Sequence, residues 1–439
     1  MSSDSNQPLR RREMLGSLST IGLVGCIDNI TTRGEPTFTS GRADWEPGSD
    51  NVPTDSWPLA RRDAQRSGTN SVVTGPEPPI EFKWSVSPAQ DRFNTPVVAD
   101  GRIFAANKQG GMLLALDIET GEEIWRKTFE QWLSDPAVAN GVLYIKDAST
   151  SIDHEPNRIL AYDVATGKRK WTYELTDEEH RGTTLIVTGE TVYAAADKYL
   201  LAINATTGEL AWKFDPGEPH RRLFSVVIGS DLVYVSAHTT DIVNEEERTG
   251  TVFALDPVAE TVEWSAEFRQ ASELALEKDI LIVRDISTLY ALDSSSGQRN
   301  WQTALRPHHS WEQHGPDPLF AIVDDTAYYQ ADSNKTEDGV AIKGASLTDG
   351  AERLHVNLGH PGAIERSPLV SANNKYLYAV TTVDIYTHYI DVIDLEAEEH
   401  LQTVELDHDH FRGYAGSPVL AENTLFVSDG GGGSIVAYR

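Results

Sequence analysis

The chain has 439 residues, more than an ordinary single domain, with 67 acidic against 37 basic residues, a formal net charge of −30 and a single cysteine. A surface this acidic repels phosphate and excludes nucleic-acid binding through general electrostatics, and one cysteine excludes an intrachain disulfide. Such acidity fits a halophilic source, because the Debye length falls to about 3 Å at 1 M salt and carboxylates keep the surface hydrated.

The chain opens with Arg10, Arg11 and Arg12, then Glu13, Met14 and an apolar, small-residue run from Leu15 to Gly25. The run is shorter than the ~20 residues needed to cross a ~30 Å hydrocarbon core, so it reads as a signal segment and not a membrane span. The arginines before it resemble a twin-arginine export signal. Leu23-Val24-Gly25-Cys26 resembles a lipobox, which implies cleavage before Cys26 and lipidation of its thiol. Residues 1–25 are therefore expected to be a signal peptide, with Cys26 anchoring the protein at the extracytoplasmic face of the cell membrane. Residues 26–56 are rich in Thr, Ser, Gly, Asp and Pro without apolar periodicity, and read as a lipidated, flexible tether. Asn29-Ile30-Thr31, Asn204-Ala205-Thr206 and Asn334-Lys335-Thr336 have the glycosylation pattern, a triplet that also arises by chance.

From Trp57 onward one unit recurs. ALDIETGEEIW ending at Trp125 returns as AYDVATGKRKW at Trp171, AINATTGELAW at Trp212, ALDPVAETVEW at Trp264 and ALDSSSGQRNW at Trp301. Each reads as a strand, a turn with one residue at positive φ, and a second strand bearing the Trp. Another pair of short alternating strands precedes each hairpin, for example 95–99 and 102–106 around Asp100-Gly101. Further units start at Pro318, Ser367 and Ser417, the sixth lacking the Trp and the seventh the turn Gly. The small apolar position of the third strand falls at Ala115, Ala161, Ala202, Ala254, Ala291, Ala345, Val392 and Ala437. Eight four-stranded units at this period predict an all-β, eight-bladed β-propeller of antiparallel blades over 57–439.

The last unit stops at Arg439 without a fourth strand, while 81–86, with Trp84, has the form of a fourth strand without a preceding hairpin. Joining them completes the eighth blade and closes the ring, removing its open edges. Trp84, Trp125, Trp171, Trp212, Trp264 and Trp301 are expected to be structural, packed between blades, where a Trp buries ~150–250 Å². A closed ring of this kind is expected to be a monomer.

The A-x-D-x-x-T-G-x-x-x-W unit resembles the tryptophan-docking repeat of the pyrroloquinoline-quinone (PQQ)-type propellers, and Trp57-Pro58-Leu59 with Asp63, Arg66, Ser67 and Gly68 resembles the lead-in before that family's first blade. The resemblance implies one of two functions. One is a quinoprotein dehydrogenase oxidising an alcohol or sugar with PQQ and Ca2+. The other is a cofactor-free scaffold like the lipoprotein propeller of the bacterial β-barrel assembly machinery. The dehydrogenases carry a vicinal Cys-Cys disulfide, which one cysteine cannot supply. A lipid-anchored, non-catalytic binding protein is therefore the expected function, with no catalytic residue assigned.

Links from the outer strand of one blade to the inner strand of the next lie on one face of a propeller. They carry Arg92, Arg181, Arg221, Arg222, Arg269, Arg306, Arg366 and Arg412. Two readings stand open: a positive funnel for an anionic ligand or acidic protein segment at the channel mouth, or local pairing with loop and edge carboxylates. The same links hold His180, His220, His308, His309, His314, His360, His408 and His410, but no spacing matches a defined metal motif. Gly430 to Gly433 has no helix after it and reads as a turn, not a phosphate cradle, and Asp324-Asp325 reads as a strand turn.

Overall fold

The computed structural model describes residues 34–41 and most of 58–439. Outside the described residues lie 1–33, 42–57, 61, 64, 71–74, 89–91, 108–110, 131, 149–156, 177–178, 180–183, 218, 221, 240–248, 286–287, 306–319, 332–339, 361–369, 373–374, 384–386, 407–415, 417 and 430–432. The signal segment, Cys26 and the sequons at Asn29 and Asn334 fall there.

Among the described residues regular structure is entirely β, in eight antiparallel four-stranded blades. Blade one runs Val97–Ala99, Arg102–Ala106, Met112–Asp117 and Glu123–Thr128 from channel to rim. Blades two to seven span 132–174, 185–215, 222–268, 273–304, 320–357 and 370–405. Blade eight takes its first three strands from 419–438 and its fourth from Phe82–Val86. There Trp84 pairs with Ala437, and Glu81 and Arg439 exchange two backbone hydrogen bonds of 2.8 Å. The first strand of blade one meets those of blades two and eight, so the ring is closed as the sequence predicts.

The repeat encodes the seams between blades. Asp117 Oδ1 accepts from the N–H groups of Glu119 and Thr120, and Asp163 and Asp293 do the same work in their hairpins. These bonds, led by the Thr120 backbone at Asp117, the Thr166 hydroxyl at Asp163 and the Ser295 hydroxyl at Asp293, hold the three carboxyl groups below the usual range. Asn204, the described sequon residue, fills the Asp position and caps the N–H groups of Thr206 and Thr207. The small residue faces the Trp across the strand pair: Ala115 with Trp125, Ala161 with Trp171, Ala254 with Trp264, Ala291 with Trp301.

Each such indole then reaches the next blade's hairpin. Trp171 Nε1 donates to Ala205 O at 2.8 Å, and Trp125, Trp264 and Trp301 donate to Val164, Ser294 and Leu347 at 3.0, 2.9 and 2.6 Å. The ring lies over the turn glycine: a Cβ on Gly208, at φ 76°, would sit 2.7 Å from Trp171. Glycine therefore serves twice, for the left-handed conformation and for clearance.

The sixth and seventh units replace the Trp. In the sixth unit the small position is Gly344, one residue before the expected Ala345 because the strand pair shifts register there, and Leu354 stands opposite it; in the seventh Gln402 stands opposite Val392. Gln402 is engaged all the same, accepting from Ile80 N–H at 2.8 Å and donating to Ile80 O at 3.3 Å where the chain enters the closing strand.

The lead-in crosses one end of the ring. Pro58 O accepts from Val138 of blade two, Gln65 O from Leu276 of blade five and Ser67 O from Ile322 of blade six. Thr69–Asn70 then pairs in parallel with 371–372 of blade seven. These partners sit on channel-lining strands beside the first turn of each blade, on opposite sides of the ring, so 58–70 spans the channel there. Asp63 caps this segment through the N–H and hydroxyl of Ser67, and Arg66 pairs with the buried Glu273 at 3.1 Å.

One expectation needs correction. Thr37–Ser40, placed by composition inside the tether, is a strand on the outer edge of blade three, antiparallel to 212–215. Apolar surface at that edge, set by Trp212 and Phe214, gives even a polar segment a place to pair.

Candidate functional site

Because the lead-in covers the end bearing the first turns, the mouth lies at the opposite end. It is formed by the inter-blade links and the loops between second and third strands. Arg92, Arg222 and Arg269 are the described link arginines, and all three are exposed. Arg181, Arg221, Arg306, Arg366 and Arg412 lie outside the described residues, as do His180, His308, His309, His314, His408 and His410.

Arg222 opens the first strand of blade four, its guanidinium 5.2 Å from the ring centre of Phe224. Phe224 is a half-buried residue at a register slip and stacks on His238 with centroids 3.9 Å apart. His238 in turn bonds the carbonyl of Ala271 in the following link. That link holds Arg269, whose backbone N–H, with that of Gln270, is taken by the buried Asp285 at 3.2 and 2.8 Å. Asp285 thus fixes the link and not the Arg269 side chain. Among the described residues no carboxylate pairs with the guanidinium of Arg222 or Arg269. Both present charge-assisted donors to solvent at adjacent blades.

A second group sits beside them. Lys146 is fully buried at the end of the second strand of blade two, its Nζ 3.3 Å from Glu179 O in the next link. Burial brings its pKa down to about 8, against the raising effect of Asp197 and Glu179, and Arg222 lowers it further. Lys213 reaches Glu179 Oε1 at 3.1 Å and lies over the Tyr199 ring. The mouth at blades two to four is therefore a set of alternating charges, with Arg222 on its exposed side. His220 is buried edge-on to Phe253 at 5.5 Å, a packing role.

A third group joins His360, one of the link histidines, to Asp391, His400, Thr381 and Thr403, which the repeat pattern did not single out. Asp391, fully buried in blade seven, accepts from His360 Nε2 at 3.0 Å, His400 Nε2 at 3.1 Å, Thr381 Oγ1 at 2.7 Å and Thr403 Oγ1 at 2.8 Å. Burial pushes its carboxyl upward, but the bonds from His360, His400 and Thr381 outweigh it and hold it at about 2. The signal was present: Asp391 occupies the third-strand place held by Leu114, Leu160 and Leu201 in other blades, and Lys146 likewise interrupts an apolar run.

Among the described residues no group of three or more His, Cys, Asp or Glu side chains is arranged to hold a metal ion. The chain's single cysteine cannot supply the vicinal disulfide that the resemblance implied for the dehydrogenases.

Comparison with solved structures shows the same architecture at low identity. BamB from Moraxella catarrhalis aligns with a TM-score of 0.57 and 11% identity, over 82% of this chain and 97% of that one. A europium-containing methanol dehydrogenase aligns with a TM-score of 0.65 and 14% identity, over 85% and 89%. The quinohemoprotein alcohol dehydrogenase of Comamonas testosteroni aligns with a TM-score of 0.65 and 13% identity, over 88% and 81%. Likeness at this level establishes the fold alone. No curated protein sequence matches the chain. The family model described as outer membrane protein assembly factor BamB matches residues 81–303 and 196–439, the whole ring from closing strand to last strand, so this chain belongs to that PQQ-like propeller family.

Proposed function

We propose that the protein is an exported, lipid-anchored propeller that binds an anionic ligand, foremost an acidic segment of a protein partner, at the channel mouth without transforming it. The observation that carries this reading is the pair Arg222 and Arg269. Both are exposed at adjacent links and without a carboxylate at either guanidinium among the described residues, in a chain of net charge −30. In so acidic a protein two guanidinium groups at one rim, with no described carboxylate beside them, favour an anion there. The family description, an outer membrane assembly factor, supports a protein partner over a small substrate. Cys26 after its lipobox supports anchoring at the extracytoplasmic face, with the folded ring a monomer and the salt-adapted surface outside the cell.

The test is charge reversal. Arg222→Glu with Arg269→Glu should lower capture of an acidic partner from detergent-solubilised membranes at least tenfold while leaving the melting temperature within a few degrees; unchanged capture refutes the mouth as the binding site. Cys26→Ala should move the protein from the membrane fraction to the medium, and retention in the membrane fraction would refute lipid anchoring.

A further inference from the structure

We infer that Thr37–Ser40 is a latch: the segment between the anchor and the ring binds the outer edge of blade three in cis and so sets which rim of the propeller faces the membrane, and how closely. The inference about orientation rests on the lipid-anchor reading; the latch itself does not.

Blade three is built to receive a strand. Its outer strand Leu210–Asp215 reads LAWKFD, whereas those of blades one, two and five read EIWRKT, RKWTYE and RNWQTA and expose charged or polar groups at alternate positions. Charged edges resist further pairing, and this edge has a single Lys between two aromatic residues. Among the described residues no other blade carries an added strand on its rim.

The segment fits that edge in detail. Phe38 packs on Trp212 and Phe214 with ring centroids 5.7 and 5.1 Å away. The backbone approaches so closely that a Cβ on Gly41 would overlap the carbonyl of Leu210, and one on Gly217 the carbonyl of Gly34. Glycine is thus required on both partners, once at each end of the contact. Ser40 Oγ reaches across to blade four, donating to Glu260 at 2.7 and 2.8 Å.

Glu260 stands where other hairpins carry the turn glycine, holding φ 55° itself. Trp212 correspondingly departs from Trp125, Trp171, Trp264 and Trp301: its Nε1, like that of Trp84, has no hydrogen-bond partner among the described residues, yet its ring is 1% exposed. The seam between blades three and four has given up the Gly-Trp dock and is covered by Phe38 and Ser40 instead.

The consequence is geometric. Cys26 precedes Thr37 by eleven residues, a maximal reach of about 40 Å, whereas a free chain as far as residue 57 would reach about 110 Å. The latched ring is therefore held with the rim of blades three and four toward its anchor.

Hydrogen exchange on the unlipidated full chain tests the latch. In the wild type the amides of 37–41 and 210–215 should be protected. In Phe38→Asp/Gly41→Val they should exchange at least a hundredfold faster, with the outer strands of blades one, two and five unchanged as proof of an intact ring. Unprotected 37–41 in the wild type, or equal exchange in both proteins, overturns the latch. Spin labels at Cys26 and Glu209→Cys give the second reading: a distance distribution confined below about 60 Å in the wild type and extending beyond it in the double variant, with identical distributions counting against the inference. Neither measurement involves lipid, so a failed anchor, read by Cys26→Ala, and a failed latch are separate results.

Discussion

The seam between blades two and three and the seam between blades three and four do the same job by different chemistry. In the first, Trp171 lies over Gly208 and donates to Ala205 O. In the second, Glu260 replaces the glycine, Trp212 donates to no described group, and a strand from outside the ring covers it. The lesson is that the repeat specifies a contact geometry and not a fixed residue set. Where one element is lost, burial is recovered by whatever segment can reach, as Gln402 recovers it at the entry to the closing strand.

The largest expected effect comes from the seam that has no covalent continuity. Deleting residues 78–87 removes the fourth strand of blade eight and exposes the edge of 435–438; the variant should aggregate on size-exclusion chromatography, and monomeric elution with an unchanged melting temperature would break the closure argument. Next is Gly208→Val, which combines a left-handed φ with a Cβ 2.7 Å from Trp171 and should cost about 3 kcal/mol in denaturant unfolding. Glu260→Gly, at the same turn position one seam on, should stay within about 1 kcal/mol of wild type, because relief of backbone strain offsets the lost Ser40 contact. Equal losses in the two variants would erase the distinction between the seams.

At the Trp-less entry to blade seven, Asp391→Ala should cost about 2 kcal/mol at neutral pH, since it leaves several buried donors without their acceptor. The sign follows from a depressed carboxyl: the wild-type contribution is complete above pH 4, near the ordinary Asp value of 3.8, and is lost as pH falls toward about 2. The gap between wild type and variant should therefore narrow across that window, and a gap independent of pH would show that the fold does not depress the Asp391 carboxyl. The smallest effect separates the two indoles: Trp171→Phe should cost about 1 kcal/mol more than Trp212→Phe, the value of one buried hydrogen bond.

The blades were legible because the repeat states local physics: an Asp that caps a turn, a Gly at positive φ, an Ala opposite a Trp. The closing strand was legible because its Trp84 lacked a hairpin. The latch was not, since TFTS carries one aromatic residue without an apolar alternation and its partner lies some 170 residues away. Link arginines could be placed on one face by topology alone. That Asp285 would hold the Arg269 backbone and leave its guanidinium to solvent depends on packing that no spacing encodes. Asp391 and Lys146 were visible as charges in apolar runs, but their partners come from different strands and links and could be paired only in three dimensions.

Closure by Phe82–Val86 also bears on how the molecule is made. Trp84 and Ala437 are more than 350 residues apart, so during synthesis the closing strand stays unpaired until residues 435–438 have emerged. Chains cut short by a dozen residues would have seven sound blades and one open edge. Without 435–438 the backbone edge of Phe82–Val86 would be left open to pair with another chain.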